Sequence, residues 1–257
     1  ENGITFDGAI GVSAGAAFGC NFKSKQIGRP LRYNKKYCKD WRYCSMKSLL
    51  LTGDLFGAKF CYHDIPMRLD PFDNETYVAN PMPFYLVATN VETGRAVYHE
   101  VKTGIGRDLK WFQASASMPV VSRPVEIDGH YYMDGGTADS IPQKYFESIG
   151  YTHNVVILTQ PKGYVKKPGK NQSAMKLMLR KYPKLWEALE SRPQVYNETL
   201  AYIEAEEAEG KTYVVRPPES LGIGHTSKDP DELQRVYDIG RKVGEEKLEE
   251  IRAFLGE

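Results

Sequence analysis

A five-residue turn near the start of the chain constrains its fold more than any other feature. An apolar run over residues 6–10 leads into Gly11-Val12-Ser13-Ala14-Gly15, and the small-residue stretch Ala16-Ala17-Phe18-Gly19 follows. The apolar run predicts a buried strand over 6–12, and the small residues predict a helix over about 14–22. A serine at the tip of so sharp a strand-to-helix turn is pushed clear of the sheet, and flanking glycines let the backbone double back without a Cβ clash. The helix behind it aims free N–H groups and the positive end of its dipole at any negative charge that develops there. Ser13 is therefore the candidate nucleophile, with Gly11 and Gly15 as the glycines of the turn. A chance G-x-S-x-G match arises about once in ten chains of this length, so the strand before it and the helix after it carry the weight. A structural serine in a glycine-rich turn is the competing reading.

Composition excludes several classes. The 257 residues suffice for a sizeable core in one or two domains. Lys and Arg total 34 against 33 Asp and Glu, a formal charge of +1, which exerts no global pull toward nucleic acid or an acidic partner. No apolar stretch approaches the roughly 20 residues of a membrane-spanning helix. Cys20, Cys38, Cys44 and Cys61 include no C-x-x-C pair and have no histidine at zinc-ligand spacing. Reduced thiols in a cytoplasmic protein are expected ahead of a local disulfide, and no metal site is expected.

Two β-type runs, 84–90 and 96–101, flank Thr93-Gly94 and predict a hairpin. A short helix is expected over 109–118, ended by Pro119. A second hairpin, 125–127 and 130–133 around Asp128-Gly129, delivers Asp134-Gly135-Gly136 at its far end. Ser140 is expected to cap a helix with Pro142 in its first turn and Gly150 at its stop. A buried strand over 154–159 follows, then helical patterning over 171–209 interrupted at Pro183 and Pro193, a strand over 212–216, and a long amphipathic helix opening at Asp229-Pro230. Strands alternate with helices and nothing repeats. The expectation is one α/β domain over 1–257, a three-layer sandwich with a central, mostly parallel or mixed sheet between helices, and a mostly helical part over 171–257.

Asp134 before two glycines reads by itself as an Asp-initiated turn. Together with the Ser13 turn, Asp134-Gly135-Gly136 resembles the patatin-like phospholipase family, which uses a Ser-Asp dyad. The resemblance extends to Ala88-Thr89-Asn90 with Thr93-Gly94, to Ala114-Ser115-Ala116-Ser117 before Pro119, and to Val125-Glu126-Ile127-Asp128-Gly129, covering about residues 4–150. Tyr237-Asp238-Ile239-Gly240 looks like the closing helix of a bacterial branch. The resemblance implies a serine acyl hydrolase of the phospholipase A or lipid esterase kind, with no cofactor, acting through an acyl-enzyme. An aspartate with an ordinary pKa of about 3.9 is a weak base toward a serine hydroxyl, so such a site has to be dry and its oxyanion strongly held. The family's glycine-rich oxyanion loop precedes its serine motif, and nothing before Gly11 matches it. Glu1-Asn2-Gly3-Ile4 resembles the end of the helix after that loop, so the expectation is a chain lacking the first strand and the loop, and nearly inactive alone.

Two further readings compete. His225 is the one late histidine and would complete a Ser-Asp-His arrangement, and a catalytically silent lipid-binding protein would keep the fold without turnover. Residues 23–47 carry nine Lys or Arg against Asp40, with Tyr33, Tyr37, Trp41 and Tyr43 interleaved. A solvated face is the usual fate of such a run. The alternative places Arg29, Arg32, Lys35 and Lys36 against lipid head groups at an anionic membrane, as a peripheral contact. The partners expected are lipid or acyl-ester substrates, with no nucleic acid.

Overall fold

The computed structural model describes residues 1–256. The first strand, β1, spans Ala9–Val12 and is shorter than the apolar run, because its neighbour offers pairing to these four residues alone. Helix α1 spans Ala14–Lys23 and buries Ala16 and Cys20, while Phe18 and Phe22 face outward. It is a one-faced helix, not the buried one its small residues suggest. Helix α2 spans Arg29–Tyr37 with Pro30 in its first turn, and α3 spans Met46–Thr52, capped by the Ser45 hydroxyl accepting from Ser48 N–H at 2.9 Å. A wide π-helical coil over Phe60–Leu69 and a short α4, Asn74–Ala79, complete this layer. Tyr33, Tyr37, Tyr43, Phe60 and Ile65 pack into a small core of their own.

The next strand, β2, spans Phe84–Asn90 and is the axis of the molecule. Its aromatic and β-branched residues suit a strand buried on both faces, and Leu86, Val87, Ala88 and Thr89 are fully buried. On one edge it pairs antiparallel with β3, Ala96–Glu100, through the expected hairpin. Helix α5, Arg107–Ser115, lays Trp111, Phe112 and Ala114 over the sheet. The second hairpin forms β4, Val125–Ile127, and β5, His130–Asp134.

Along the other edge of β2, register sets where two strand ends meet. There β1 pairs parallel with residues 84–87, and β5 pairs antiparallel with residues 88–90. The two strands therefore run toward each other along one edge. Val12 ends opposite Val87 and Asp134 ends opposite Ala88, so both C-terminal ends must turn out at the same point. The result is a five-stranded mixed sheet flanked by helices, an α/β fold as expected.

Beyond it lie α6, Gln143–Ser148; β6, Asn154–Ile157; α7, Gln172–Met178; α8, Pro183–Ala208; β7, Thr212–Val215; α9, Pro230–Glu246; and α10, Leu248–Leu255. Among the described residues β6 and β7 pair only with each other, in parallel, so the expected single sheet is divided in two. Strand β6 is only partly buried: Asn154 is inside, whereas Ile157 is 77% exposed. Ser140 does not cap α6, because its hydroxyl donates instead to the Gly136 carbonyl at 2.7 Å. Helix α8 runs through Pro193, where a break was expected. A proline costs one helical hydrogen bond, and here each half has its own anchor. Leu185 and Trp186 pack with Val91 and Met133, and Ile203 packs with Leu158 and Val214. The C-terminal helix, expected as one, divides at Lys247.

Candidate active site

Ser13 follows directly on β1 and Asp134 ends β5, so the head-on meeting of those strands brings the two side chains together. The Ser13 hydroxyl donates to Asp134 Oδ2 at 2.6 Å. Ser13 sits at φ 53°, ψ −117°, a left-handed conformation that costs a residue with a side chain about 1–3 kcal/mol. Its N–H is held by Ser115 Oγ at 3.0 Å, and its carbonyl accepts from Ala16 and Ala17 N–H at 3.0 Å each. Serine is a favoured N-cap, yet this hydroxyl caps nothing in α1 and is left to Asp134. The strain thus falls on the serine rather than on the glycines. Gly11 is required for space, since a Cβ there would collide with the Gly15 carbonyl, whereas a Cβ on Gly15 would meet nothing within 4 Å. The N–H groups of Ala14 and Gly15, at the open N-terminus of α1, have no hydrogen-bond partner among the described residues.

Asp134 is 6% exposed and held at every polar atom. Oδ1 accepts from Gly136 N–H at 2.7 Å, the backbone N–H donates to the Ser117 carbonyl at 2.8 Å, and the backbone carbonyl accepts from the Thr89 hydroxyl at 2.8 Å. Gly135 lies against β2 so closely that a Cβ would collide with the Val87 carbonyl. Burial pushes the Asp134 carboxyl above the usual carboxylate range. Hydrogen bonds from Ser13 and Gly136, and the charges of Arg192 and His225, pull the other way without cancelling it. The arrangement is a serine hydroxyl bonded to a desolvated carboxylate of increased basicity, beside unpaired helix-end N–H groups.

Of the other expected residues, His225 makes no hydrogen bond to Ser13 or Asp134 among the described residues, and acts on Asp134 through its charge alone. The reading of Arg29 as a head-group contact is corrected. Arg29 is 4% exposed and donates to the Asp70 carbonyl at 2.6 and 3.2 Å and to Asn21 Oδ1 at 3.1 Å. Arg32 grips the Asp70 carboxylate with two bonds of 2.8 Å. Lys35 donates to Gln234 of α9 at 2.7 Å, and the Lys36 ammonium lies 5.2 Å over the Tyr37 ring. The tyrosines of 23–47 build a local core, and the arginines close it by satisfying Asp70. Among the described residues no group of three or more side chains could hold a metal ion.

Four participants had no site role in the sequence reading: Thr89, Ser115, Ser117 and Arg192. The first three stand in stretches that carry the family resemblance, and they had a signal. Small polar residues alternate with alanine in Ala114-Ser115-Ala116-Ser117, and Thr89 sits inside an otherwise apolar strand. A polar side chain in such a setting is buried only against a partner. Arg192 had none, because its position depends on where α8 packs.

A family model described as patatin-like phospholipase matches residues 1–146, the stretch that contains β1–β5, Ser13 and Asp134. A second, described as a domain of unknown function (DUF6363), matches residues 182–256, which contain α8–α10 and β7. No curated protein matches the chain.

Proposed function

Because the chain belongs to the patatin-like phospholipase family, we propose that it is a serine acyl hydrolase of lipid esters, with Ser13 as nucleophile and Asp134 as general base. The observation that carries this reading is the 2.6 Å hydrogen bond from the Ser13 hydroxyl to a buried carboxylate. Asp134 takes the hydroxyl proton as Ser13 Oγ attacks the ester carbonyl carbon. The tetrahedral oxyanion forms beside the free N–H groups of Ala14 and Gly15, where the helix dipole favours negative charge. Collapse expels the alcohol, which leaves with the proton from Asp134, and the acyl group stays on Ser13. Water, deprotonated by Asp134, then releases the fatty acid and restores the hydroxyl. Burial suits Asp134 to this role, since a base of raised pKa takes a serine proton more readily.

Contact with a lipid surface belongs to the same reading. Met46, Leu50 and Leu51 of α3 are exposed, and the Lys47 ammonium lies 4.5 Å over the exposed Trp41 ring. Helix α3 is tied to the loop after α5, for Leu55 N–H donates to the Val121 carbonyl at 2.9 Å and Arg123 N–H to Asp54 at 2.8 Å. Apolar side chains beside a lysine and an aromatic suit an anionic bilayer surface, where a lysine adds about 1 kcal/mol. No described helix is long and apolar enough to cross a membrane.

The test is labelling by a fluorophosphonate probe together with turnover of p-nitrophenyl acyl esters. Both are expected to vanish in Ser13→Ala with the melting temperature retained. Labelling that survives that substitution would sink the assignment of Ser13.

A further inference from the structure

Arg192 projects from α8 against the Asp134-Gly135-Gly136 turn. The point where a Cβ on Gly136 would sit lies 3.3 Å from Arg192 Nη2 and 3.0 Å from Asp134 Oδ1. The guanidinium therefore stands no farther from the dyad carboxylate than those two distances together, without forming an ion pair with it. Arg192 Nε stands 3.4 Å from the Ser140 hydroxyl oxygen. The side chain is half-buried and has no ion-pair partner among the described residues, whereas Arg29 and Arg216 each hold a carboxylate.

A second half-buried cation lies one helical turn along. The Lys166 ammonium sits 4.6 Å over the ring of Tyr196, four residues after Arg192. Its backbone is clamped to α8 by Asn197, whose Oδ1 accepts from Lys166 N–H at 2.8 Å and whose Nδ2 donates to the Lys166 carbonyl at 3.0 Å. Lys166 also has no ion-pair partner among the described residues, and burial together with the charge of Arg192 holds its pKa below the usual lysine range. Two half-buried like charges repel each other, Asp134 is the carboxylate near Arg192, and a further anion bound between the two cations would relieve that repulsion.

We propose that Arg192, backed by Lys166, is an anion subsite that takes the phosphate group of an acyl-ester substrate, so that the segment of unknown function supplies the site's choice of phosphorylated over neutral lipid. A guanidinium presents two parallel N–H donors that match two phosphate oxygens, and a lysine adds a point charge behind them. The acyl chemistry rests on the hydrolase reading above; the binding does not.

The experiment separates the two by using Ser13→Ala, which cannot turn over. Calorimetry with a short-chain diacyl phosphatidylcholine below its micelle concentration, against the diacylglycerol of the same chains, is expected to show at least about tenfold tighter binding of the phosphate-bearing lipid. The difference is expected to close in Ser13→Ala/Arg192→Gln and to return in part in Ser13→Ala/Arg192→Lys. Equal binding of the two lipids, or a difference that persists without Arg192, overturns the proposal. Inorganic phosphate distinguishes the source of the anion. Competition that needs Arg192 and far higher concentrations supports a lipid phosphate, and affinity equal to that of the phospholipid overturns it. Turnover of a neutral ester by the unsubstituted chain tests the hydrolase reading separately. In that assay an Arg192 that merely offsets the Asp134 charge would lower kcat on neutral and phosphorylated esters alike, while loss of a phosphate subsite raises KM for the phosphorylated one.

Discussion

The five-stranded sheet and the two-stranded sheet differ in what surrounds them. In the first, β2 buries Leu86, Val87, Ala88 and Thr89 completely, and α5 and α1 seal it with Trp111, Phe112 and Ala16. In the second, Ile157 of β6 is 77% exposed, and the cluster against α8 holds only Leu158, Ile203 and Val214 as buried residues. The contrast reflects what each region holds. A strained serine and a desolvated carboxylate 2.6 Å apart require a backbone that cannot relax, and dense burial on both faces of β2 supplies it. The C-terminal region reaches the site through α8, a helix packed at both ends, and its outer surface carries no such demand.

Four substitutions would break or sharpen that contrast. Asp134→Asn has the largest expected effect, a loss of about 10²–10⁴-fold in kcat measured on p-nitrophenyl esters. The same change is expected to raise the melting temperature at pH 7. Burial raises the native pKa of Asp134, so the native state binds the proton more tightly than the unfolded chain. Stability therefore falls as pH rises from the unfolded pKa through the native one. The asparagine escapes that loss, and its advantage should fade as pH falls below the ordinary aspartate pKa of about 3.9, where the carboxyl becomes protonated in both states. In the unsubstituted chain the acid limb of the rate profile should lie above the ordinary carboxylate range, and a limb below it would contradict a desolvated base.

Gly135→Ala comes next. Its methyl would enter the Val87 carbonyl on the least yielding strand, and a loss of roughly 1–3 kcal/mol in denaturant unfolding is expected. Ser115→Ala removes the acceptor of Ser13 N–H. About 1 kcal/mol of stability and roughly tenfold in kcat should go with it, because the strained turn loses one of its holds. Ile157→Ser should be the mildest, within about 0.5 kcal/mol of the parent. A loss comparable to that of Gly135→Ala would show the two regions to be less different than their burial indicates.

Much of this was legible in order along the chain. The Ser13 turn, the hairpin ending at Asp134 and the helix over Ala14–Lys23 obey local rules of glycine, turn and period, and they appear where those rules put them. Local rules failed where packing outweighed them. Pro193 did not break α8, because both of its halves are anchored in separate clusters. The run over 154–159 looked like a buried strand, yet apolar composition does not say which sheet a strand joins. Arg29 reads in sequence as part of a charged surface, and pairing with Asp70 draws it into a local core, whereas Arg32 binds the same carboxylate from outside with its side chain 58% exposed.

By itself the sequence singled out the side chains proposed for the chemistry: a serine on a turn too tight for most residues, and an aspartate before two glycines. Their meeting was decided by tertiary structure. Strands β1 and β5 run toward each other along one edge of β2 and stop opposite Val87 and Ala88, which sets Ser13 beside Asp134 across 121 positions of chain. Pairing register is a property of two strands at once, and Arg192 reaches the same turn only because α8 packs against it. No local pattern in either segment encodes these distances, since each arises from the partner the segment finds.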